Sequence, residues 1–211
     1  YAAKDWYTLV RPGNFEMIDN NKILLKGIGT RLECGFLGAR TAFNGANCPG
    51  IILNTKDISL YYLLGILNSD LITRYLNAIV PKKLGGYFRY NTTNLRKIPI
   101  VIQEDETIKI QIEKLVGENI ELRRKIEEQK DRFLRRMQDN LKLKKITRKL
   151  EEFYKLTFKE LLDEIKKQKV SLTLIQQDEW EEYFIKFKSV ITSEEGLFEV
   201  NSKELNKLIN E

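Results

Sequence analysis

The chain of 211 residues contains no histidine. That removes the commonest general base and metal ligand, and with them every Ser-His or Cys-His pairing. Its two cysteines, Cys34 and Cys48, are too few for a structural zinc site. They read as reduced thiols of a cytoplasmic protein rather than as a disulfide. Long apolar runs are missing too. The longest, Tyr61–Leu67, ends at Asn68, Ser69 and Asp70, far short of the ~20 residues a membrane-spanning helix needs. No signal-peptide pattern is visible, and an opening at Tyr1 without Met reads as a piece trimmed from a longer protein.

Catalytic motifs are also lacking. No G-x-G-x-x-G or G-x-x-x-x-G-K-[ST] occurs, and Gly27-Ile28-Gly29 lacks both the third glycine and the strand-to-helix setting. No Pro-Pro is present, which excludes the Asn/Asp-Pro-Pro-aromatic motif that holds a flipped adenine. Glu160, Asp163 and Glu164 lie near Lys166, as acids and a lysine do in restriction nucleases. Here they fall on a predicted helix, where i, i+3 ion pairs account for them. The chain is expected to catalyse nothing.

What is present divides near position 102. All four prolines and ten of the twelve glycines lie before it. Residues 1–102 carry 13 Lys/Arg against 6 Asp/Glu, and residues 103–211 carry 23 against 24, so the net +6 resides in the first half. A basic globule gains affinity for nucleic acid through phosphate contacts and counterion release. The 42% hydrophobic content suffices for a core. The expected fold class is α+β: a small mixed globule (1–102), a long coiled-coil spacer helix (103–150) and a helical C-terminal region (151–211).

Within the globule, Lys22–Gly27 and Pro49–Asn54 read as short buried strands, joined by a Gly-, Arg- and Asn-rich stretch of loops and strand edges. Leu60, Leu63, Leu64, Leu67, Leu71 and Tyr75 predict one helix over Asp57–Ala78, capped by Asp57 or Ser59 and ended by Pro81. A basic, glycine-containing, aromatic stretch follows, Lys82 to Tyr90, before Leu95–Ile102 returns to the core. Tyr61, Tyr62, Leu67 and Asn68 read as structural, with Asn68 capping or bonding buried backbone. Gly85-Gly86 fits either a turn or a close approach of backbone to phosphate.

From Thr107 onward, Ile108, Ile112, Leu115, Asn119, Leu122, Ile126, Gln129 and Phe133 alternate spacings of four and three, the a/d seam of a coiled coil. The seam needs a helix partner, in this chain or another. Arg123–Lys149 holds 12 Lys/Arg against 4 acids; a solvated helix face is the favoured reading and contact with DNA the alternative. Phe158, Leu161, Leu162 and Ile165 mark a further helix. Trp180, Phe184 and Phe187 mark a second that starts near Gln177-Asp178-Glu179. Leu205 and Leu208 mark a last, short one.

One set of segments is more specific. Tyr61-Tyr62-Leu63-Leu64-Gly65-Ile66-Leu67-Asn68-Ser69, Gly85-Gly86-Tyr87-Phe88-Arg89-Tyr90 and Leu95-Arg96-Lys97-Ile98-Pro99-Ile100 follow one another into a long helix. In order and spacing they resemble the C-terminal specificity domain of TaqI-like adenine methyltransferases and type IIG restriction–modification enzymes. They are also similar to the target-recognition domains of type I specificity subunits. The resemblance implies a module that reads double-stranded DNA for a separate methyltransferase, and in a type IIG arrangement also for a nuclease, in the parent protein. S-adenosylmethionine would then belong to that methyltransferase, and no cofactor to this chain.

For such a role the chemistry needed is phosphate neutralisation plus base-edge hydrogen bonding, with Arg suited to guanine and Asn or Gln to adenine. The candidates are Arg31, Arg40, Asn44 and Asn47 in the first loop region, and Lys82, Lys83, Tyr87, Arg89, Tyr90, Asn91 and Asn94 in the second. Arg74 and Arg96 flank the second as phosphate holders. Two other readings compete. One is a coiled-coil interaction module whose basic half binds an acidic protein. The other is an RNA-binding module that stacks bases on Tyr87, Phe88 and Tyr90.

Overall fold

A computed structural model describes residues 16–42, 48–83 and 85–210. They gather into two compact units, one formed by the chain up to Gly117 together with Glu204–Glu211, the other by Glu118–Lys203. Small antiparallel sheets and long helices give an α+β fold.

The first unit is built on two small sheets. In one, β1 (Lys22–Leu25) lies between β3 (Cys34–Leu37) and β4 (Gly50–Ile51), antiparallel to both. Both predicted strands are therefore present but shorter. The alternation of β1 buries Ile23 and Leu25. Lys22 is also fully buried. Its ammonium donates to the carbonyls of Asn20 at 2.9 Å, Ile18 at 3.2 Å and Gly38 at 3.3 Å, so all three N–H donors have a partner. The second sheet is a two-stranded ribbon, β2 (Ile28–Gly29) with β5 (Phe88–Arg89). A short helix, α1 (Glu16–Asp19), precedes the sheets.

The helix predicted over Asp57–Ala78 is two helices, α2 (Leu60–Asn68) and α3 (Asp70–Ile79). Ser69 is extended, at φ −66° and ψ 153°, and its hydroxyl accepts from the amide of Ile72. It is thus an N-cap that interrupts an otherwise continuous apolar pattern. Ser59 caps α2 by accepting from the amide of Tyr62. Asn68, at the break, uses its whole side-chain amide on one strand residue. Oδ1 accepts from the Cys34 amide at 2.9 Å and Nδ2 donates to the Cys34 carbonyl at 3.0 Å. It replaces one rung of a β-ladder and is structural, as the sequence led us to expect.

Gly65 marks where α2 meets the two helix ends that complete this unit. A methyl group there would come within 3.0 Å of Val116 and 3.1 Å of Ile112, with Leu205 at 3.6 Å. Ile112 and Val116 belong to α5 (Glu106–Leu141), and Leu205 to α8 (Leu174–Asn210). Leu205 and Leu208 therefore lie on the last turns of a 37-residue helix, not on a short separate one. That helix starts earlier than expected because Thr173 and Gln176 form a reciprocal cap. The Gln176 amide donates to the Thr173 hydroxyl, and the Thr173 amide to the Gln176 side chain.

In the second unit the rest of α5 and α8 run antiparallel. Asn119 pairs with Ser202 and Arg123 stacks on Phe198, while Phe133 meets Phe187, Phe184 and Trp180 in turn. In this unit the heptad seam is covered in part by α8. Ile126 and Phe133 lie in one core with Trp180, Phe184, Phe187 and Ile191. Between the long helices stand α6 (Arg148–Glu151), a 3-10 turn (Phe153–Lys155) and α7 (Phe158–Lys166), the last opened by a Thr157/Glu160 capping box. Phe133 is the centre of this core. It stacks at 3.8 Å on Phe153 and touches four further rings.

Truncating Phe133 to Ala should cost about 3–5 kcal/mol, read as a lowered midpoint of denaturant unfolding. The two cysteines are free, and burial, with Glu33 beside it, pushes the Cys34 thiol up to about 12. Only thiolate reacts, so at pH 8 native Cys34 should be alkylated about a thousandfold more slowly than an ordinary thiol. Mass spectrometry of the native and denatured chain after iodoacetamide treatment measures the ratio.

Candidate nucleic-acid interface

The ribbon β2–β5 collects much of the positive charge predicted to bind. Ile28 pairs with Arg89 and Gly29 with Phe88, and the Tyr90 amide closes onto the Gly27 carbonyl at 2.8 Å. Arg89 is exposed on this ribbon. Arg31, two residues beyond β2, is exposed and reaches the Asn68 carbonyl at 3.2 Å and the Asp70 carboxylate at 3.4 Å. Arg74, on α3, donates through Nε to the Asp70 carbonyl at 3.3 Å. Asn77, one turn further on, donates to the Thr30 carbonyl at 3.3 Å. Strand, helix and the segment after β2 are thereby fastened together under one set of arginines.

The turn from α3 back to β5 adds Lys82, Lys83 and Tyr87, all exposed. Gly85 and Gly86 adopt φ of 87° and 81°, a region L-residues seldom occupy. The Lys83 amide donates to the Tyr87 carbonyl at 2.7 Å, and the Gly86 amide to the Lys83 carbonyl at 3.1 Å. The two glycines make a tight turn that projects its lysines. Lys82 sits 5.8 Å over the Phe88 ring. Tyr87 remains 49% exposed, whereas Phe88 is 5% and Tyr90 0% exposed.

Tyr90 is therefore a correction. It is a core residue whose hydroxyl donates to the Asn77 side chain at 2.9 Å, out of reach of any base. Strand alternation alone would put Tyr87 and Arg89 out and Phe88 and Tyr90 in. Tyr90 follows that alternation and goes inward with Phe88. Burial, and the nearby charge of Glu33, raise its phenol above the usual range, and Arg31 partly offsets this. Asn91 and Asn94 carry out turn chemistry. Asn91 caps α4 (Thr92–Leu95) by accepting from the Asn94 amide, and Asn94 donates to the Arg89 carbonyl at 3.0 Å. Both thus fix the backbone that presents Arg89. Arg96 is exposed at the end of α4.

Arg40 belongs to the other sheet's loop. It has φ of 60° without being glycine, and its amide is held by the Ile18 carbonyl at 2.7 Å. Asn21 accepts from the neighbouring Ala39 amide at 2.9 Å, and buried Lys22 grips Gly38. The loop is locked at three points while the Arg40 side chain stays exposed. Asn44 and Asn47 lie outside the described residues. Sequence reasoning passed over Ile28, which is 59% exposed beside Arg89. An apolar residue facing outward on a basic ribbon suits contact with a thymine methyl. The signal available was its place between two glycines, which favours an exposed strand end over a core position.

Two of the three acids near Lys166 are occupied structurally. Glu164 pairs with Lys167 at 2.6 Å and Lys149 at 3.6 Å, and Glu160 accepts from Thr157. Among the described residues no three His, Cys, Asp or Glu cluster as metal ligands would, and no helix is long and apolar enough to cross a membrane.

Residues 2–100 match the model of the TaqI-like C-terminal specificity domain. The match spans a little under half of the chain and bears out the resemblance read from the helix, the Gly/aromatic turn and the Ile-Pro-Ile exit: this segment is similar to a TaqI-like specificity domain. Residues 105–209 match a second family, described as a domain of unknown function (DUF8810). No curated protein matches the chain.

Tyr90→Phe should lower stability by about 1–3 kcal/mol, because it leaves the inward-facing Asn77 side chain without its donor. Chemical denaturation of the variant tests this, and no change would place Tyr90 outside the core hydrogen bonding described.

Proposed function

We propose that the chain reads base sequence in double-stranded DNA and catalyses nothing, acting for a methyltransferase, and in a type IIG arrangement also a nuclease, elsewhere in the parent enzyme. The observation that carries this reading is the specificity-domain match together with a rigid, cationic ribbon. Arg89, Arg74, Lys82, Lys83 and Arg96 have no acidic partner among the described residues, so their charge is available for phosphates or guanine edges. Arg89 and Ile28, side by side on the ribbon, are the proposed base readers. The lysines of the glycine turn and Arg74 are the proposed phosphate holders, with Tyr87 beside them.

Arg40 is proposed as a second reader. Left-handed backbone at a residue other than glycine costs about 1 kcal/mol or more and tends to persist where function needs the side chain. Here the surrounding clamps impose it.

S-adenosylmethionine belongs in this reading to the absent methyltransferase. Among the described residues the positive-φ glycines lie in a helix-to-strand turn, not in the strand-to-helix turn that grips a nucleotide, and no step is assigned to that cofactor here. Single-stranded RNA fits less well, because two of the three rings that would stack bases are buried. An interaction module built on an open coiled-coil seam also loses its motive, since α8 covers part of that seam.

Selection of bound sites from a random duplex library, by the chain alone and fused to a methyltransferase, should enrich one short motif. Arg89→Gln should relax the choice at one or two positions, by about 1–3 kcal/mol each. Arg40→Gly should relax others while leaving stability within about 0.5 kcal/mol, since glycine takes the left-handed conformation freely. Absence of any enriched motif in both formats would overturn the reading.

A further inference from the structure

The second unit carries a charge arrangement that its family match does not explain. Between α5 and α8 lies a cleft of about 350 Å³ lined by Gln129, Arg132, Arg136, Tyr183, Lys186 and Phe187, with Val190 at its edge. Arg136 also lines the adjoining hollow with Asn140, Glu179, Trp180 and Tyr183. Its guanidinium is stacked 4.3 Å from the Tyr183 ring centroid.

Three other cations of the same stretch of α5 are ion-paired along the helix surface. Arg124 pairs with Glu121 and Glu128, Lys130 with Glu127, and Arg135 with Asp131. Arg132, Arg136 and Lys186 are exposed and have no ion pair among the described residues. Arg132, Arg136 and Lys186 converge on the groove. Beyond the end of α5 the chain continues with exposed Lys142, Lys144, Lys145 and Arg148.

We propose that this groove binds the phosphodiester backbone of duplex DNA. Three unpaired cations against an apolar, low-dielectric aromatic wall create a focused positive potential. Stacking fixes the Arg136 plane and leaves its N–H edge free for a phosphate oxygen. Arg132 and Arg136 are one turn apart, about 6 Å along the axis, and the track of lysines beyond them suits a repeating anion better than a single one. Contacts of this kind to phosphate carry no sequence information, so the groove's contribution is independent of sequence. It uses residues different from those of the ribbon, and so stands or falls separately from the base-reading role.

The test measures binding of the full chain to a random-sequence duplex across a range of salt concentrations. Each phosphate contact contributes about 0.9 to the slope of log Kd against log salt. Replacing Arg132, Arg136 and Lys186 together with Gln should lower that slope by about 2.7 and leave any motif from library selection unchanged. Should the triple variant fail to fold, Arg132→Gln with Lys186→Gln, which spares the Tyr183 stack, should lower it by about 1.8. Arg132→Lys should retain the slope.

An unchanged slope in the folded variants overturns the proposal. So does saturation of Trp180 fluorescence by inorganic phosphate at sub-millimolar concentration with no effect of the variants on duplex binding, which identifies a small-anion site. A reduced slope without motif enrichment would keep this groove and reject base reading. Enrichment with an unchanged slope would do the reverse.

Discussion

The first unit depends on the break at Asn68-Ser69-Asp70. The Asn68 amide takes the place of a strand on Cys34, its carbonyl receives Arg31, Ser69 starts α3, and the Asp70 backbone receives Arg74. One peptide's worth of irregular backbone thus joins α2, α3, the three-stranded sheet and two arginines. With only two short sheets, the globule lacks a large continuous ladder to set its geometry. Directed polar contacts from this corner do that work. A continuous helix over the same residues would satisfy the local apolar pattern, but would carry α3 away from the ribbon it now supports.

Much of this was legible in the residues, and the failures have identifiable physical causes. β1 followed from its apolar run. The heptad seam followed from its spacing, although spacing alone does not say which helix covers it. The break in the first helix escaped because Leu67, Leu71 and Tyr75 keep helical period across it. Three good capping residues in succession were the competing signal. The continuity of α8 escaped because polar Ser193–Glu195 and Gly196 dilute the pattern, where helix-to-helix packing in fact holds the chain.

Within the interface, residue type predicted exposure well for Arg and Lys and poorly for Tyr and Asn. An arginine has few alternatives to solvent or a partner. Tyr90 has an apolar body and needs only one acceptor, which Asn77 supplies inside the fold. Asn91 and Asn94 are drawn to backbone groups close by in sequence. The basic groove between the long helices was read as a solvated face. One-dimensional charge counts cannot separate cations that find acids within a turn from those that converge with the opposite helix.

The approach at Gly65 bears on how such specificities could be exchanged between proteins. The segment that matches the specificity family ends at residue 100, yet the α2 surface around Gly65 is closed by Ile112, Val116 and Leu205. A graft cut at the family boundary would carry this helix into a host without the side chains shaped to meet it. The folding unit that contains this segment is therefore a discontinuous one. It consists of the first hundred residues plus the first turns of one helix and the last turns of another, and recombination that preserves folding has to move all three together.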